Sequence, residues 1–148
     1  MRIVVQRVSE ASSTVDGKTT GSIGKGFLLF IGFKDDDTVA DMNKLLKKVI
    51  GLRVFEDEFG KMNKSLADVN GSILAISQFT LYADCKHGNR PSFTRSMKFD
   101  EAFIKYKEFC NELRKNNIIV EEGIFGADMK IKLLNDGPVT IILDSENL

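Results

Sequence analysis

The stretch "KIKLLNDGPVTIILD", residues 130–144, decides how the fold is read. Lys130 to Leu134 and Val139 to Leu143 are apolar and β-branched enough to be strand, yet Asn135-Asp136-Gly137-Pro138 stands between them. Two readings are open. These four residue types are the ones turns select, which predicts a hairpin. A Gly-Pro bond also becomes cis far more cheaply than an ordinary peptide, which would aim two backbone carbonyls at a ligand.

Working outward, "IIVEEGIF" just upstream adds another strand, and "FDEAFIKYKEFCNELRKN" changes period. Phe99, Ala102, Phe103, Tyr106, Phe109, Cys110 and Leu113 repeat at three and four, which predicts a helix with its aromatics in the core. "SILAISQFTLYAD" is the longest strand candidate and is expected to run through the middle of the sheet. "LRVFED" reads as strand and "EFGKMNKSLADVNG" as a polar loop. "DDDTVADMNKLLKKVIG" carries the stripe Val39, Met42, Leu45, Leu46, Val49 and Ile50, with Asp36, Asp37 and Thr38 as capping residues and Gly51 as the stop. The N-terminal third, "RIVVQRV" and "ASSTVDGKTTGSIGKGFLLFIGF", reads as a β-meander with a hairpin at Asp16-Gly17. The sum is an α+β fold: one domain over residues 1–148, a largely antiparallel sheet and two main helices.

At 148 residues the chain can bury roughly 68% of its unfolded surface around one core. Lys+Arg and Asp+Glu balance at 21 each, so no global positive field draws in a long nucleic acid, and any RNA contact must be local. No apolar run reaches the ~20 residues a membrane helix needs, nor does the N-terminus resemble a signal peptide, so a cytoplasmic protein without membrane contact is expected. Cys85 and Cys110 lack metal or redox spacing and read as free thiols.

The usual chemical signatures are missing. His87 is the single histidine and lies in a polar loop, and no G-x-S-x-G elbow occurs. One His and two distant Cys cannot supply a zinc set, so neither metal nor cofactor is expected. "GKGFLLFIG" leads into a strand rather than a helix and is not a phosphate loop. What remains is "SQFTL", residues 77–81, where polar side chains interrupt an apolar run. They either border a pocket or satisfy backbone groups at a strand end; both readings stand. "CKHGNRPSFTRSMK", residues 85–98, holds Lys86, Arg90, Arg95 and Lys98 without one acid, and is the best candidate for phosphate contact, with Phe93 available for stacking.

With "SQFTL" and "NDGPVT" both present, the sequence resembles the D-aminoacyl-tRNA deacylases, which remove D-amino acids mistakenly esterified to tRNA. The likeness covers nearly the whole chain, including "MRIVVQRVSEA", "VDGKTTGSIGKG", "SQFTLYAD", "GNRPSF", "GIFGADMKIKLLNDGPVT" and "LDS". It implies a barrel-like homodimer with active sites at the subunit interface. Carried over residue by residue, Ser77, Gln78, Phe79 and Thr80 form the pocket in one subunit. Gly137 and Pro138 of the other project into it as a cis dipeptide that selects chirality. Phe125 and Met129 match positions near the adenine of the 3′ acceptor end. The chain stops at Leu148, without the extension that some eukaryotic relatives carry and that is linked to DNA binding, so no DNA role is expected.

An aminoacyl ester of ribose is already activated by its neighbouring hydroxyl and needs little acid–base help. Backbone N–H groups around Phe79 and Thr80 would serve as an oxyanion hole, or Thr80 would position water. Thr80 as a covalent nucleophile needs an adjacent base, and none is evident. The resemblance implies that L substrates are excluded and glycyl-tRNA is accepted to some degree. A non-catalytic module that binds the tRNA acceptor end is the alternative.

Overall fold

A computed structural model describes all residues, Met1–Leu148. Its strands are β1 (Arg2–Val15), β2 (Lys18–Ile23), β3 (Gly26–Gly32), β4 (Phe55–Glu56), β5 (Met62–Lys64), β6 (Ser72–Ser77), β7 (Val120–Glu122) and β8 (Lys130–Asp144). Helices α1 (Val39–Gly51) and α2 (Phe99–Lys115) complete the α+β fold.

The main sheet runs β2-β1-β3-β6-β7, with β8 on the other side of β1. Every ladder of β1 is antiparallel, as expected. β6 pairs in parallel with both β3 and β7, because α1 lies in the crossover into β6 and α2 in the crossover out of it. The sheet curls until β2 nears β7. A Cβ on Gly21 would sit 2.7 Å from the Glu122 carbonyl oxygen, so only glycine permits this approach.

Alternation along the strands splits the core in two. Ile3, Val5, Phe27, Leu29, Ile31, Ile73 and Ala75 face the helices, where they meet Leu45 and Val49 of α1 and Phe109 and Leu113 of α2. Val8, Ala11, Leu28, Leu74 and Ile76 point the other way, into the curl. β3 and β6 are therefore buried on both faces, which is why "GFLLFIG" and "SILAIS" are nearly unbroken apolar runs. Truncating a fully buried aromatic such as Phe109 would cost about 3–5 kcal/mol.

Helix α1 starts in a capping box: Asp41 N donates to Thr38 Oγ1 at 3.2 Å and Thr38 N to Asp41 Oδ2 at 2.9 Å. Asp37 does not cap it; its carboxylate accepts from Lys34 N at 2.8 Å and pairs with the buried Met1 ammonium. α2 lacks a side-chain cap but places Asp100 and Glu101 in its first turn and Arg114 and Lys115 in its last, matching the helix dipole.

Residues 130–144 form one strand, and the hairpin reading is overturned. β8 pairs with β1 from Arg2↔Asp144 to Thr14↔Lys130, and the Asn-Asp-Gly-Pro segment is absorbed as a bulge. Between the pairs Gln6↔Thr140 and Val8↔Asn135, Arg7 alone stands opposite four residues, Asp136 to Val139. The Gly137–Pro138 bond is cis.

Candidate active site

The expected long strand through "SQFTLYAD" ends at Ser77. Ile31↔Ser77 is the last pair with β3, and Gln78 N still donates to Ile31 O at 2.8 Å. β3 itself ends at Gly32, so the chain beyond has no partner strand. At Gln78 it swings out of the sheet and Phe79–Tyr82 wind into one 3-10 turn. Alternation of faces therefore stops applying, and Ser77, Gln78 and Phe79 line the same cavity.

That cavity measures about 560 Å³ and is mainly apolar. Phe125 and Met129 lie on it, as expected from the sequence, joined by Phe93, Ser96, Phe99 and Asp128, which the sequence did not single out for it. Phe99 and Phe103 also depart from expectation: they are 61% and 43% exposed rather than core. Both meet the Phe125 ring edge-on, at centroid distances of 5.0 and 5.3 Å, forming an aromatic cluster at the cavity mouth.

The basic loop folds back onto the turn. Ser96 Oγ donates to Phe79 O at 3.0 Å, and the Phe93 ring packs edge-on against Phe79 at 5.0 Å. Lys86, Arg90 and Arg95 are exposed beside it, Arg95 standing 3.8 Å from Glu146. Thr80 is exposed, and its Oγ1 accepts from Gln78 Nε2 at 2.5 Å. As the first residues of the turn, Phe79 and Thr80 carry N–H groups that the turn itself cannot satisfy.

Gly137 and Pro138 do not join this cavity within one chain. They are exposed on the β8 bulge, away from its lining. Arg7, overlooked in the sequence, grips the bulge: the buried guanidinium donates from Nε to Asp136 O at 2.6 Å and from Nη1 to Val54 O at 2.5 Å. Arg2 was also missed; it reaches from β1 to the turn, donating to Leu81 O at 2.8 Å. Neither arginine stands out in a strand whose alternation suggests solvent-facing polar residues.

Elsewhere, titratable groups serve structure. Burial pushes the Cys110 thiol up to about 12, which makes it inert. Cys85 is exposed, and both cysteines are free. No helix is long and apolar enough to cross a membrane.

A curled α+β sheet with an aromatic cleft, lined by Gln78 and Phe79 at the start of a main-chain turn, has the concave, mostly apolar form of a small-molecule site. The chain belongs to the D-Tyr-tRNA(Tyr) deacylase family, whose model matches residues 4–144. A D-aminoacyl-tRNA deacylase of Clostridium novyi (strain NT) is 53% identical over 146 residues, spanning 99% of this chain and 98% of that protein. Another, from Exiguobacterium sibiricum, is 56% identical over 144 residues, spanning 97% and 99%. Among solved structures, the "c-Myc DNA Unwinding Element Binding Protein" superposes with a TM-score of 0.92 at 41% identity, over 97% of this chain and 98% of that one. A probable eukaryotic D-amino acid tRNA deacylase, 18% identical, shares the fold with a TM-score of 0.83, over 96% and 97% of the two chains.

Proposed function

We propose that this protein hydrolyses the ester bond of D-aminoacyl-tRNA, releasing a free D-amino acid and tRNA. The observation that carries the reading is that Ser77, Gln78 and Phe79, at the start of the turn, line an aromatic cavity, with Thr80 just outside its lining, together with membership of the deacylase family. A volume of about 560 Å³ suits a terminal adenosine with an attached aminoacyl group. Phe125 and Met129 hold the adenine, and Ser77, Gln78 and Phe79 surround the ester.

Water attacks the ester carbonyl carbon. The oxyanion that forms is stabilised by main-chain N–H groups of Phe79 and Thr80, a device worth about 10²–10³ in rate per donor. The C–O bond to the ribose then breaks and the ribose oxygen takes the proton. Thr80, whose hydroxyl accepts from Gln78 and retains its own proton, positions the water. The neighbouring ribose hydroxyl assists.

Chirality is read by Gly137 and Pro138 of the partner subunit in a homodimer. Support comes from β8 itself: it pairs only with β1, and it leaves Leu133, Leu134 and Ile142 exposed along an open edge. Main-chain carbonyls from the bulge accept from the substrate ammonium and crowd the side where an L side chain points. Glycyl-tRNA has no side chain to clash and is accepted. Lys86, Arg90 and Arg95 supply local phosphate contacts.

The test is paired deacylation of D- and L-tyrosyl-tRNA. Rapid release of D-tyrosine with L-tyrosyl-tRNA intact is the expected result. Tight binding of both without turnover would instead establish the acceptor-end binding module.

A further inference from the structure

The side chain of Asn135 forms both of its main-chain bonds to a single residue on the far side of the bulge. Its Oδ1 accepts from Val139 N at 2.9 Å and its Nδ2 donates to Val139 O at 3.0 Å. The amide thus does for Val139 what a partner strand would do, at the place where β1 has only Arg7 to offer four residues of β8. The same Nδ2 donates to Gln6 Oε1 at 2.9 Å, which ties the closed loop to β1. Asp136, Gly137 and Pro138 lie inside the ring that Asn135 closes.

These three residues have few other restraints. Gly137 and Pro138 are exposed, and Arg7 reaches only Asp136 among them, through its carbonyl at 2.6 Å and its carboxylate at 3.8 Å. A bulge with four residues opposite one has many competing conformations, and ordering each of its residues costs about 1–2 kcal/mol of backbone entropy. Two hydrogen bonds from one side chain, itself anchored by Gln6, offset part of that cost and choose one conformation.

We propose that Asn135, held by Gln6, is a positioning residue that determines stereospecificity: it fixes the direction in which the Gly137–Pro138 carbonyls point. This rests on the reading of that dipeptide as the chiral selector. Neither Asn135 nor Gln6 lines the cavity, so they touch neither the ester nor its main-chain donors and act only through the dipeptide. Loosening the ring lets the dipeptide yield to an L side chain.

The experiment measures kcat/KM on D-tyrosyl-tRNA and L-tyrosyl-tRNA for the wild type, Asn135→Ala, Asn135→Asp and Gln6→Leu. Aspartate is nearly isosteric and still accepts from Val139 N, but it sets a carboxylate oxygen against Val139 O. Both Asn135 variants should lose some D-tyrosyl-tRNA hydrolysis, because the ammonium is held less firmly, while L-tyrosyl-tRNA hydrolysis rises, so that the D/L ratio falls at least about tenfold, the scale set by losing one or two hydrogen bonds. Gln6→Leu, which leaves the ring intact but unanchored, should shift the ratio less and in the same direction; it decides the matter if the Asn135 variants fail to fold. If D and L activities fall in proportion, or the ratio is unchanged in a selective wild type, Asn135 is only structural and the inference is overturned alone. A wild type inactive on D-tyrosyl-tRNA overturns the functional reading and this inference together.

Discussion

Arg2 Nη1 donates to the carbonyl oxygen of Leu81 at 2.8 Å, so the first residue of β1 holds the 3-10 turn whose first residue, Phe79, lines the cavity. The same guanidinium donates from Nε to Asp144 Oδ2 at 2.7 Å and lies 5.0 Å above the Tyr82 ring. Arg2→Ala removes two restraints from the turn, at Leu81 and Tyr82, and with them the anchor on Asp144; in the proposed mechanism the N–H directions of that turn set the rate. We expect kcat on D-tyrosyl-tRNA to fall about tenfold, equivalent to about 1.4 kcal/mol, with KM and the D/L ratio little changed. Arg2→Lys, which keeps the charge but loses the fork, should recover only part of this. An unchanged kcat would show that the turn does not depend on Arg2.

Thr80 offers a hydroxyl with no base beside it; its one side-chain partner is the Gln78 amide. Thr80→Ala should therefore retain hydrolysis within about tenfold, since backbone donors survive the change. Single-turnover kinetics and mass spectrometry of the quenched enzyme check this. A folded but dead variant, or an acyl group trapped on Thr80, would make it the nucleophile.

Gly126 has φ +78°, and a Cβ there would lie 2.5 Å from a ring carbon of Phe99. Gly126→Ala should cost about 1–2 kcal/mol from the left-handed backbone alone and displace the Phe99 ring from the cavity mouth. A raised KM with kcat preserved is the expected kinetic signature, alongside a lower melting temperature. An unchanged KM would separate Phe99 from substrate binding.

Phosphate contacts should be few. Net charge is zero and the acid-free loop is short, so log KM against log salt should have a shallow slope, about 0.7 per phosphate neutralised on a single strand. Arg90→Ala and Arg95→Ala should each raise KM on D-tyrosyl-tRNA and leave L-tyrosyl-tRNA uncleaved. A steep wild-type slope, or L cleavage in either variant, contradicts this division between loop and dipeptide.

Acid should expose the Arg2–Asp144 pair. Burial tends to raise the Asp144 pKa, but the Glu146 N–H and the Arg2 guanidinium outweigh it and hold the carboxyl below the ordinary value of about 3.9. Since the folded pKa is the lower one, the stability it contributes is complete above about pH 4 and is lost as pH falls through the folded value. Urea midpoints between pH 5 and pH 3 should decline less steeply in Asp144→Asn than in the wild type. Parallel declines would assign the acid sensitivity elsewhere.

Much of the architecture was legible in local pattern. Leu45 and Val49 announce α1 through their period, and the unbroken runs "FLLFI" and "ILAI" announce strands covered on both faces. The turn at Phe79 was not legible, because Phe-Thr-Leu-Tyr favours strand and the cause of its ending lies at Gly32 on a neighbouring strand. Phe99 and Phe103 share the stripe of Tyr106 and Phe109, yet at their stretch of α2 the same periodicity packs exposed rings against Phe125, and Phe99 lines the cavity. Asn135 and Arg7 look like turn and surface residues in sequence. Only the pairing of β8 with β1 reveals that they brace a bulge.

The longest ladder in the molecule joins its first strand to its last, and 114 residues separate Val15 from Lys130. Such a closure comes late in folding, because the loop entropy must be met before the pairing can repay it. During synthesis at about 5–20 residues per second, β1 would wait roughly 6–23 s for β8 to emerge. Throughout that interval Ile3, Val5 and Val8 sit on a strand with an open edge, so nascent-chain aggregation is the hazard this topology carries, and a chaperone that shields the first fifteen residues should raise the yield of native protein.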